Sequence, residues 1–362
     1  MVWMPGSHPS AQTDLRDTGA MTGSQSPESW NDAVLRTQHH PHFMQSLAWA
    51  QFKTGSGWEP SGQHLTNAAG DEVLAVQEFT RPAFGLGNLI HAPRVSGMTP
   101  DKVKVLTEHA KKLRGGKNLA YKIETYQQTD PELIAAYKSN GWIEAYPSQY
   151  QWSVTVDLTP DEDTMFANFG PKARNHLRFA MKADIEVNRV PFEEKNIVQL
   201  LELVGGTKDR SGAFFRSEDY LRKAWGTFDE AGQARLYMAH HEGTLIAAAV
   251  VFTFGKKAWY KDGGSIRTQK RLPAPHLMQW TIMRDLKAEG FEAYDLGNVP
   301  DPENITAGAM EGLWHFKTGF NSTVDTYMPA FEFPLNSKQK LWNKYETKFL
   351  GLYSRLRKDY WY

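Results

Sequence analysis

Residues 258–265 read AWYKDGGS, and this stretch together with its neighbours indicates the fold. The apolar run at residues 247–254 leads into it, so the two segments are predicted to form adjacent strands joined by a turn. Residues 276–289 follow with apolar side chains at helical spacing, and Gly290 stands where a left-handed C-terminal cap is expected. The stretch therefore predicts two strands followed by a helix.

Two further elements continue this order. Residues 293–299, AYDLGNV, form the short apolar pattern of a buried strand, and Pro300 ends it. Residues 308–320, GAMEGLWHFKTGF, are predicted to contain a short helix that ends at a Lys-Thr-Gly-Phe sequence. Strand, strand, helix, strand and short helix are the elements of one mixed half-domain.

The first part of the chain repeats the alternation. Residues 73–79, 89–92 and 119–123 are predicted strands, and residues 101–113 carry the apolar spacing of a helix between them. A strand at residues 149–158 is expected to cross into a second half. The fold class predicted from these patterns is α+β, with two half-domains that each contain a mixed sheet flanked by helices.

Length and composition give the expected boundaries. A chain of 362 residues exceeds the usual size of one domain, so two domains are expected. Residues 1–28 are rich in small and polar residues and are predicted to be a disordered tail. The first domain is predicted to comprise residues 29–152 and 334–362, and the second residues 153–333.

Charge and cysteine content exclude several classes of protein. Lys plus Arg and Asp plus Glu number 41 each, so no overall positive charge indicates a nucleic-acid binder. The chain has no cysteine, which excludes disulfides, thiolate zinc sites and a cysteine nucleophile. No segment approaches the ~20 apolar residues of a membrane span, and no export signal precedes the fold. A soluble, cytoplasmic protein is expected.

Several of these segments, in this order, resemble the FemABX family of tRNA-dependent aminoacyl transferases. The similar segments extend over roughly residues 40–335 and are residues 45–53, 92–94, 172–180, 259–265, 295–297 and 316–320, together with Trp280. Members of that family add amino acids to the stem peptide of peptidoglycan precursors. The resemblance implies two GNAT-like (acyl-CoA N-acyltransferase-like) domains. A coiled-coil arm is not expected, because residues 189–215 contain no heptad run of adequate length.

The resemblance also implies a reaction and its partners. A stem-peptide amine would attack the ester of an aminoacyl-tRNA, with lipid II or UDP-MurNAc-pentapeptide as the acceptor. The ester is already activated, so no metal or nucleotide cofactor is expected. An amine with a pKa near ~10.4 is protonated at neutral pH, so the site must assist proton removal and stabilise an oxyanion. A monomer with peripheral contact to the inner membrane surface is expected.

Three residues are the candidates for catalysis. Lys317, in the Phe316-Lys317-Thr318-Gly319-Phe320 segment, is the candidate for stabilising the oxyanion. Tyr260 and Asp262 alternate across Lys261 and are therefore predicted to share one face of a strand. The family has an aromatic residue at the second position, so Asp262 is a departure from its pattern.

Four residues are candidates for binding the acceptor. The resemblance assigns Lys53 and Arg216 to the substrate phosphate, and Phe316 and Glu124 to substrate contact. From the sequence alone, the simpler interpretation of Lys53 is a solvated cation at a helix end, and an alternative for Arg216 is a surface ion pair with Glu218 or Asp219. Glu124, at the end of a strand, is as readily a surface residue.

A cluster of cations is the candidate for binding tRNA. Its members are Lys172, Arg174, Arg178 and Lys182, of which the last three are spaced by four residues and are predicted to share a helix face. Such a face suits contacts with the phosphate backbone, although a solvated basic face is the simpler interpretation. A last helix at residues 338–360 carries a net charge of about plus five on its polar face and could contact an anionic membrane or RNA.

Other functions remain open at this point. An acetyl-CoA-dependent N-acetyltransferase would need backbone N–H groups in the turn at residues 269–276, where Pro273 and Pro275 have none. A tRNA-dependent transferase that makes a small peptide metabolite is a second alternative. A binding module without activity is a third, and the presence of Lys53, Arg216 and Lys317 together argues against it.

Overall fold

The computed structural model describes residues 27–211, 216–266, 272–306, 308–357 and 359–362. Its helices are α1 (Pro27–Thr37), a 3-10 turn (Phe43–Gln45), α2 (Leu47–Lys53), α3 (Pro100–Lys112), α4 (Pro131–Ser139), α5 (Glu162–Asn168), α6 (Pro171–Ala180), α7 (Glu194–Ser211), α8 (Glu218–Glu230), α9 (Ala274–Ala288), α10 (Ala309–Thr318) and α11 (Gln339–Arg357). Most of the tail predicted at residues 1–28 lies outside the described residues.

The strands form two separate sheets. They are β1 (Glu59–Thr66), β2 (Glu72–Pro82), β3 (Asn88–Val95), β4 (Asn118–Thr125), β5 (Ile143–Ala145), β6 (Trp152–Asp157), β7 (Ile185–Val190), β8 (Ala234–His241), β9 (Thr244–Phe254), β10 (Lys257–Ser265), β11 (Ala293–Asn298), β12 (Asp325–Thr326) and β13 (Ala330–Pro334). The first sheet has the order β1-β2-β3-β4-β13-β5, and the second the order β12-β6-β11-β10-β9-β8-β7.

Each sheet is mixed, because one parallel pair lies among antiparallel pairs. The parallel pairs are β3 with β4 in the first sheet and β10 with β11 in the second. The predicted fold class, two half-domains with mixed sheets flanked by helices, is confirmed. The chain returns to the first sheet with β13, which pairs with β4 and β5 from Ala330 onward, earlier than the predicted boundary at residue 334.

Helices cover both faces of the second sheet. Helices α5, α6 and α9 pack on one face through a core that includes Leu177 and Trp280, and α7 and α8 pack on the other through Leu200 and Trp225. Gly290 has a φ of 85°, which confirms the left-handed cap predicted after α9. Helices α7 and α8 thus pack on the sheet and do not form a projecting arm in the described residues.

The two halves share one apolar core. Phe43, in the 3-10 turn of the first half, packs edge-on against Phe228, Phe252 and Trp259 of the second half at ring-centroid distances of 5.7, 5.4 and 5.3 Å. Lys223 of α8 donates a hydrogen bond to the carbonyl of Thr54, just after α2, at 2.7 Å. These contacts hold α2 against α8 across the boundary.

Helix α11 returns to the first half. Its Trp342 packs against Trp361 at 5.5 Å, and Trp361 packs against Trp58 at 5.0 Å. Among the described residues, no helix combines the length and the apolar character required to cross a bilayer.

Candidate active site

The parallel strands β10 and β11 separate partway along their length. Their pairing begins at Lys257 with Ala293 and ends at Trp259 with Asp295. Beyond that point β10 continues beside β9, whereas β11 continues beside β6. The strand opening, as we call this space, is bordered by Tyr260, Gly297, Asn298 and Lys317.

Lys317 is buried at the edge of the strand opening. Its side chain comes from the last turn of α10, and the residue is only 6% exposed. The ammonium donates a hydrogen bond to the carbonyl oxygen of Asn298 at 2.7 Å and lies 5.9 Å from the ring centroid of Tyr260. Burial lowers the pKa of Lys317 to about 8, against the opposing effect of the Asp295 carboxylate. The lysine is therefore mostly charged at pH 7 and has further N–H groups to offer a ligand.

Gly297 is favoured beside Lys317 by its backbone conformation, and a Cβ there would make only ordinary contacts. Its φ is 75°, a conformation that favours glycine. A Cβ at this position would lie 3.4 Å from the carbonyl oxygen of Tyr260 and 3.7 Å from the Lys317 nitrogen. The backbone conformation at the strand opening therefore explains the glycine of the Asp295-Leu296-Gly297 sequence.

Asp295 fixes the end of the strand pairing. This carboxylate is fully buried and accepts hydrogen bonds from the hydroxyl groups of Ser153, Tyr126 and Tyr327 and from the backbone N–H of Gly297 at 2.7 Å. Tyr126 comes from the first half of the protein and Asp295 from the second. The sequence analysis did not single out Asp295 as a site residue, although its burial at the boundary makes it a structural anchor for the strand opening.

Tyr260 and Asp262 do not share a face of β10, which corrects the prediction from their alternation. The register of β10 with β9 shifts between them, since Tyr260 pairs with Val251 and Asp262 with Val250. Such a bulge places one extra residue between the two and reverses the alternation. Tyr260 packs on the side of α6 and α9, whereas Asp262 accepts a 2.8 Å hydrogen bond from the indole of Trp225 in α8.

Tyr260 therefore joins Lys317, and Asp262 lies apart from them. Burial, together with the charge of Asp262, raises the pKa of Tyr260 to about 12, so its phenol is neutral at pH 7. The ammonium of Lys261 lies 3.2 Å from the Asp262 carboxylate, which is partly neutralised by it.

Lys53 is buried, so the interpretation as a solvated helix-end cation is wrong. The residue is 6% exposed, and its ammonium lies 5.5 Å from the ring of Trp49 and 5.8 Å from that of Trp58. Ser46 caps α2 by accepting a hydrogen bond from the backbone N–H of Trp49, which fixes the helix that carries the lysine. Burial, with the charges of Arg216 and Arg81, lowers the pKa of Lys53 to about 7.

Arg216 is engaged by the last described residues of the chain. It donates hydrogen bonds to the Asp359 carboxylate at 2.7 Å, to the carbonyl oxygen of Tyr360 at 3.0 Å and to the main-chain oxygen of Tyr362. The alternative ion pair with Glu218 or Asp219 is wrong, since Glu218 instead pairs with Arg222 at 2.8 Å.

Arg81 is a third cation in this place and was not predicted from the sequence. It donates hydrogen bonds to the carbonyl oxygen of Trp361 and, at 3.0 Å, to the hydroxyl group of Tyr353. We refer to Lys53, Arg81 and Arg216 as the cation cluster. An isolated arginine in strand β2 gave no sequence signal, because its partners are almost three hundred residues away in the chain.

Residues 359–362, the closing segment, supply oxygen atoms to the cation cluster. Trp361 is buried against Trp58, and the hydroxyl group of Tyr362 accepts a 2.9 Å hydrogen bond from Lys122. The carboxylate and carbonyl oxygens of this segment accept hydrogen bonds from the two arginines. Phosphate oxygens suit the same N–H groups equally well. The residue before the segment, Lys358, lies outside the described residues.

Glu124 has a clear local partner set. Its carboxylate accepts hydrogen bonds from the backbone N–H groups of Ser148 and Gln149, at 3.1 and 2.9 Å, and lies 3.0 Å from His91 Nε2. Burial would raise the pKa of Glu124, but His91 and Lys122 outweigh that effect and lower it to about 2. Glu124 therefore anchors the turn that precedes β6, and its contact with substrate stays a prediction.

The predicted cationic face at residues 172–182 is only partly formed. Helix α6 ends at Ala180, so Lys182 does not continue its face. Arg174 turns back and donates hydrogen bonds to the carbonyl oxygens of Ala167 and Phe169, both at 2.6 Å. Lys172, Arg178 and Lys182 are exposed.

Phe316 lies beside a pair of histidines that the sequence analysis missed. Its ring packs edge-on against His276 at 5.0 Å, and His276 Nε2 lies 3.1 Å from His176 Nδ1. Burial, with the charges of His176 and Lys172, lowers the pKa of His276 to about 4. The ring is therefore neutral at pH 7 and forms part of the apolar surroundings of α10.

Part of the turn considered for CoA binding lies outside the described residues. The described part begins at Leu272, and α9 has Pro273 at its N-cap and no side-chain cap. Pro273 and Pro275 offer no N–H group to a pyrophosphate at this helix end.

Comparison with known proteins identifies relatives of the whole fold. The chain is 20% identical to UDP-N-acetylmuramoylpentapeptide-lysine N(6)-alanyltransferase of Weissella viridescens. The alignment extends over 285 residues and covers 74% of this chain and 83% of that protein. The chain is also 20% identical over 392 residues to lipid II:glycine glycyltransferase of Staphylococcus aureus (strain COL), covering 84% of this chain and 91% of that protein.

Solved structures show the same fold. The crystal structure of FemX superposes with a TM-score of 0.76 at 18% identity, covering 89% of this chain and 98% of that chain. L-PGS from Bacillus licheniformis superposes with a TM-score of 0.51 at 14% identity, covering 90% of this chain and 96% of that chain. The family model described as the FemAB family matches residues 135–243 and 231–346. More than half of the chain is thus matched, and the protein belongs to the FemAB family.

Proposed function

We propose that this protein is an aminoacyltransferase that moves an amino acid from aminoacyl-tRNA to the stem-peptide amine of a peptidoglycan precursor. The observation that carries the proposal is the buried ammonium of Lys317 at the strand opening, in a chain of the FemAB family. The two relatives named above are, by name, an alanyltransferase and a glycyltransferase that act on such precursors.

In the proposed reaction the amine nitrogen attacks the ester carbonyl carbon, and the C–O bond to the tRNA breaks. The carbonyl oxygen becomes an oxyanion in the tetrahedral intermediate, and the departing tRNA hydroxyl takes up the proton that the amine releases. Lys317 is proposed to donate a hydrogen bond to that oxygen. In a water-poor site, the attraction between the ammonium and the oxygen increases as negative charge develops on the oxygen. Tyr260, neutral and adjacent, is proposed to orient the reacting groups.

Asp262 has a different proposed role. Because the bulge turns it toward α8, it does not lie beside Lys317, and its neighbours are Trp225 and Lys261. We assign its charge to attracting the ammonium form of the acceptor on that side of β10, before the amine reaches the ester at Lys317. Asp262→Asn is then expected to raise the KM for the acceptor and to leave kcat nearly unchanged.

The cation cluster is proposed to bind the phosphates of the acceptor. Arginine offers a planar fork of donors and lysine a point charge, a combination that suits a diphosphate. In this arrangement the acceptor replaces the oxygen atoms of the closing segment on Arg216 and Arg81. The exposed Lys172, Arg178 and Lys182 are proposed to contact the tRNA backbone, whose phosphates attract cations independently of sequence.

The direct test is transfer of label. The protein is incubated with a mixture of labelled aminoacyl-tRNAs and with either lipid II or UDP-MurNAc-pentapeptide. Label in the precursor, lost in Lys317→Met, is the expected result. Transfer of acetyl groups from acetyl-CoA, or label only in small peptides, would instead support one of the two alternative transferases.

A further inference from the structure

Helix α11 buries one side and exposes an apolar stripe next to it. Trp342 and Glu346 lie on the buried side. The exposed stripe consists of Leu341, Tyr345, Leu352 and Leu356. Their spacing of four, seven and four residues places all of them on one helix face. Leu352 is 57% exposed and Leu356 73% exposed, so the described residues leave this end of the stripe largely uncovered.

A neighbouring loop extends this apolar surface. Phe84, between β2 and β3, is 75% exposed, and its ring lies 4.8 Å from that of Phe349 in α11. We refer to the stripe and Phe84 together as the docking face. Scattered apolar side chains are common on protein surfaces, whereas a row of them on one helix beside an exposed phenylalanine indicates an interaction site.

The docking face is bordered by cations. Those of α11 are Lys340, Lys344, Lys348, Arg355 and Arg357. Its one acidic residue, Glu346, is buried and pairs with Lys122 at 2.7 Å. The exposed surface of α11 is therefore cationic, and in the described part of the chain Lys344, Lys348 and Arg355 form no ion pair.

We propose that the docking face binds the surface of an anionic lipid bilayer, and that the acceptor of the proposed transferase is lipid-linked. Apolar side chains on one face of a helix, flanked by lysine and arginine, are the features of a helix that lies in the membrane interface. Each lysine or arginine near a surface of anionic headgroups increases the affinity of the protein for the membrane by a factor of roughly five. The acceptor part of the inference rests on the proposed function.

The position of the cation cluster supports a lipid-linked acceptor. Tyr353, on the inner side of α11, accepts the 3.0 Å hydrogen bond from Arg81, and Phe349 packs against Trp361 at 5.7 Å. The cation cluster thus contacts the same helix that carries the docking face. A precursor anchored in the bilayer carries its phosphates at the membrane surface, so a protein docked through α11 would bring the cluster close to them.

Two other occupants fit the docking face less well. A second copy of the chain would have to place one row of cations near an identical row, which is repulsive. An RNA would use the cations but gain little from Leu352 and Leu356. The combination of apolar and cationic side chains favours the lipid surface.

Co-sedimentation with vesicles tests the proposal. The full chain is expected to sediment with vesicles of equal phosphatidylglycerol and phosphatidylcholine, and to do so far less with phosphatidylcholine alone. The double changes Lys344→Glu/Lys348→Glu and Leu352→Ser/Leu356→Ser should each weaken binding on the order of tenfold or more. The matched control Lys104→Glu/Lys111→Glu makes the same charge change on exposed residues of α3 and should bind like the wild type.

Several results would overturn the proposal. One is a wild-type protein that does not sediment with the anionic vesicles, and another is an unchanged affinity in both α11 double variants. A dimer in light scattering that the Leu352→Ser/Leu356→Ser change dissolves would assign the face to a second copy. Loss of tRNA affinity without loss of vesicle binding would assign it to RNA.

The acceptor part has its own readout. With lipid II in vesicles the Leu352→Ser/Leu356→Ser variant should transfer at least several times more slowly than the wild type, and with soluble UDP-MurNAc-pentapeptide at the same rate. Equal rates with vesicle-bound lipid II would overturn the lipid-linked acceptor. No transfer by the wild type to either acceptor would contradict the proposed function, while vesicle binding would still be decided by sedimentation.

Discussion

The guanidinium of Arg216 donates a 2.7 Å hydrogen bond to the carboxylate of Asp359, which lies 143 residues further along the chain. This pair joins the loop before α8 in the second half to the segment that follows α11. The closing segment therefore competes with any anion for the same arginine. The two side chains are 20% and 32% exposed, so the ion pair keeps access to solvent, from which a phosphate group can approach the arginine.

Loss of the Asp359 charge should make the cation cluster more available. Asp359→Asn keeps the size of the side chain but removes the ion pair, so pyrophosphate, used as a probe, should bind about three- to tenfold more tightly in calorimetry. Glu218→Gln is the control, because Glu218 pairs with Arg222 and not with Arg216. Weaker pyrophosphate binding by Asp359→Asn at an unchanged melting temperature would show that the segment completes the site and does not compete for it.

Binding at the cation cluster should weaken as the pH rises. The pKa of Lys53 is lowered to about 7 by burial, so the lysine is charged below pH 7 and largely neutral above pH 8. Pyrophosphate affinity should therefore fall between pH 6 and 8, by on the order of tenfold for the lost charge-assisted hydrogen bond. Lys53→Arg should remove most of this pH dependence, because arginine stays charged, and Lys53→Met should bind weakly throughout.

Lys53→Met should also stabilise the fold, which separates loss of binding from loss of structure. The unfolded chain has the ordinary lysine pKa of 10.5 and the folded protein a pKa of about 7, so the unfolded state binds more protons between these values. Stability of the wild type therefore increases with pH across that window. A melting temperature at pH 7 that is lower in Lys53→Met than in the wild type would contradict this account.

Gly264 is expected to matter for packing and not for chemistry. A Cβ at this position would lie 2.5 Å from the carbonyl oxygen of Leu203 in α7, which is closer than any real contact. Gly264→Ala should therefore destabilise the protein by about 1–3 kcal/mol, seen as a drop of several degrees in melting temperature. Gly226→Ala is the matched control, since nothing lies within 4 Å of its added Cβ. Equal melting temperatures of the two variants would remove the packing explanation.

The sequence predicted the elements better than the relations between them. Apolar periodicity identified α9, and Gly290 marked its end, because both signals are local. The bulge between Tyr260 and Asp262 has no such signal, since it depends on how β10 pairs with β9. The prediction that side chains simply alternate along the strand therefore placed Asp262 on the wrong face of β10.

The candidate site divides in the same way. Lys53, Arg216 and Lys317 were found through short motifs, and the structure places the first two near each other and the third at the strand opening. Arg81 was missed because its environment is formed by residues distant in the chain, among them Trp361. Long-range contacts of this kind follow from the packing of α11 and not from any local pattern.

Lys317 is expected to act on the transition state and hardly on binding. Its ammonium is held by the Asn298 carbonyl at the strand opening, away from the cation cluster, so its loss should leave pyrophosphate affinity unchanged. Lys317→Met should lower kcat by about 10²-fold or more, the loss typical of one oxyanion donor. Because the pKa of Lys317 is about 8, kcat of the wild type should also decline as the pH rises above 8, and the residual activity of the variant should lack that decline. Steady-state kinetics with aminoacyl-tRNA and lipid II measures both effects. Lys287→Met is the control for losing a lysine elsewhere. Lys287 lies at the far end of α9, where its ammonium donates a hydrogen bond to the carbonyl oxygen of Leu158. A near-normal kcat in Lys317→Met with an unchanged melting temperature would show that the oxyanion is stabilised by another group, and Tyr260 would be the next residue to change.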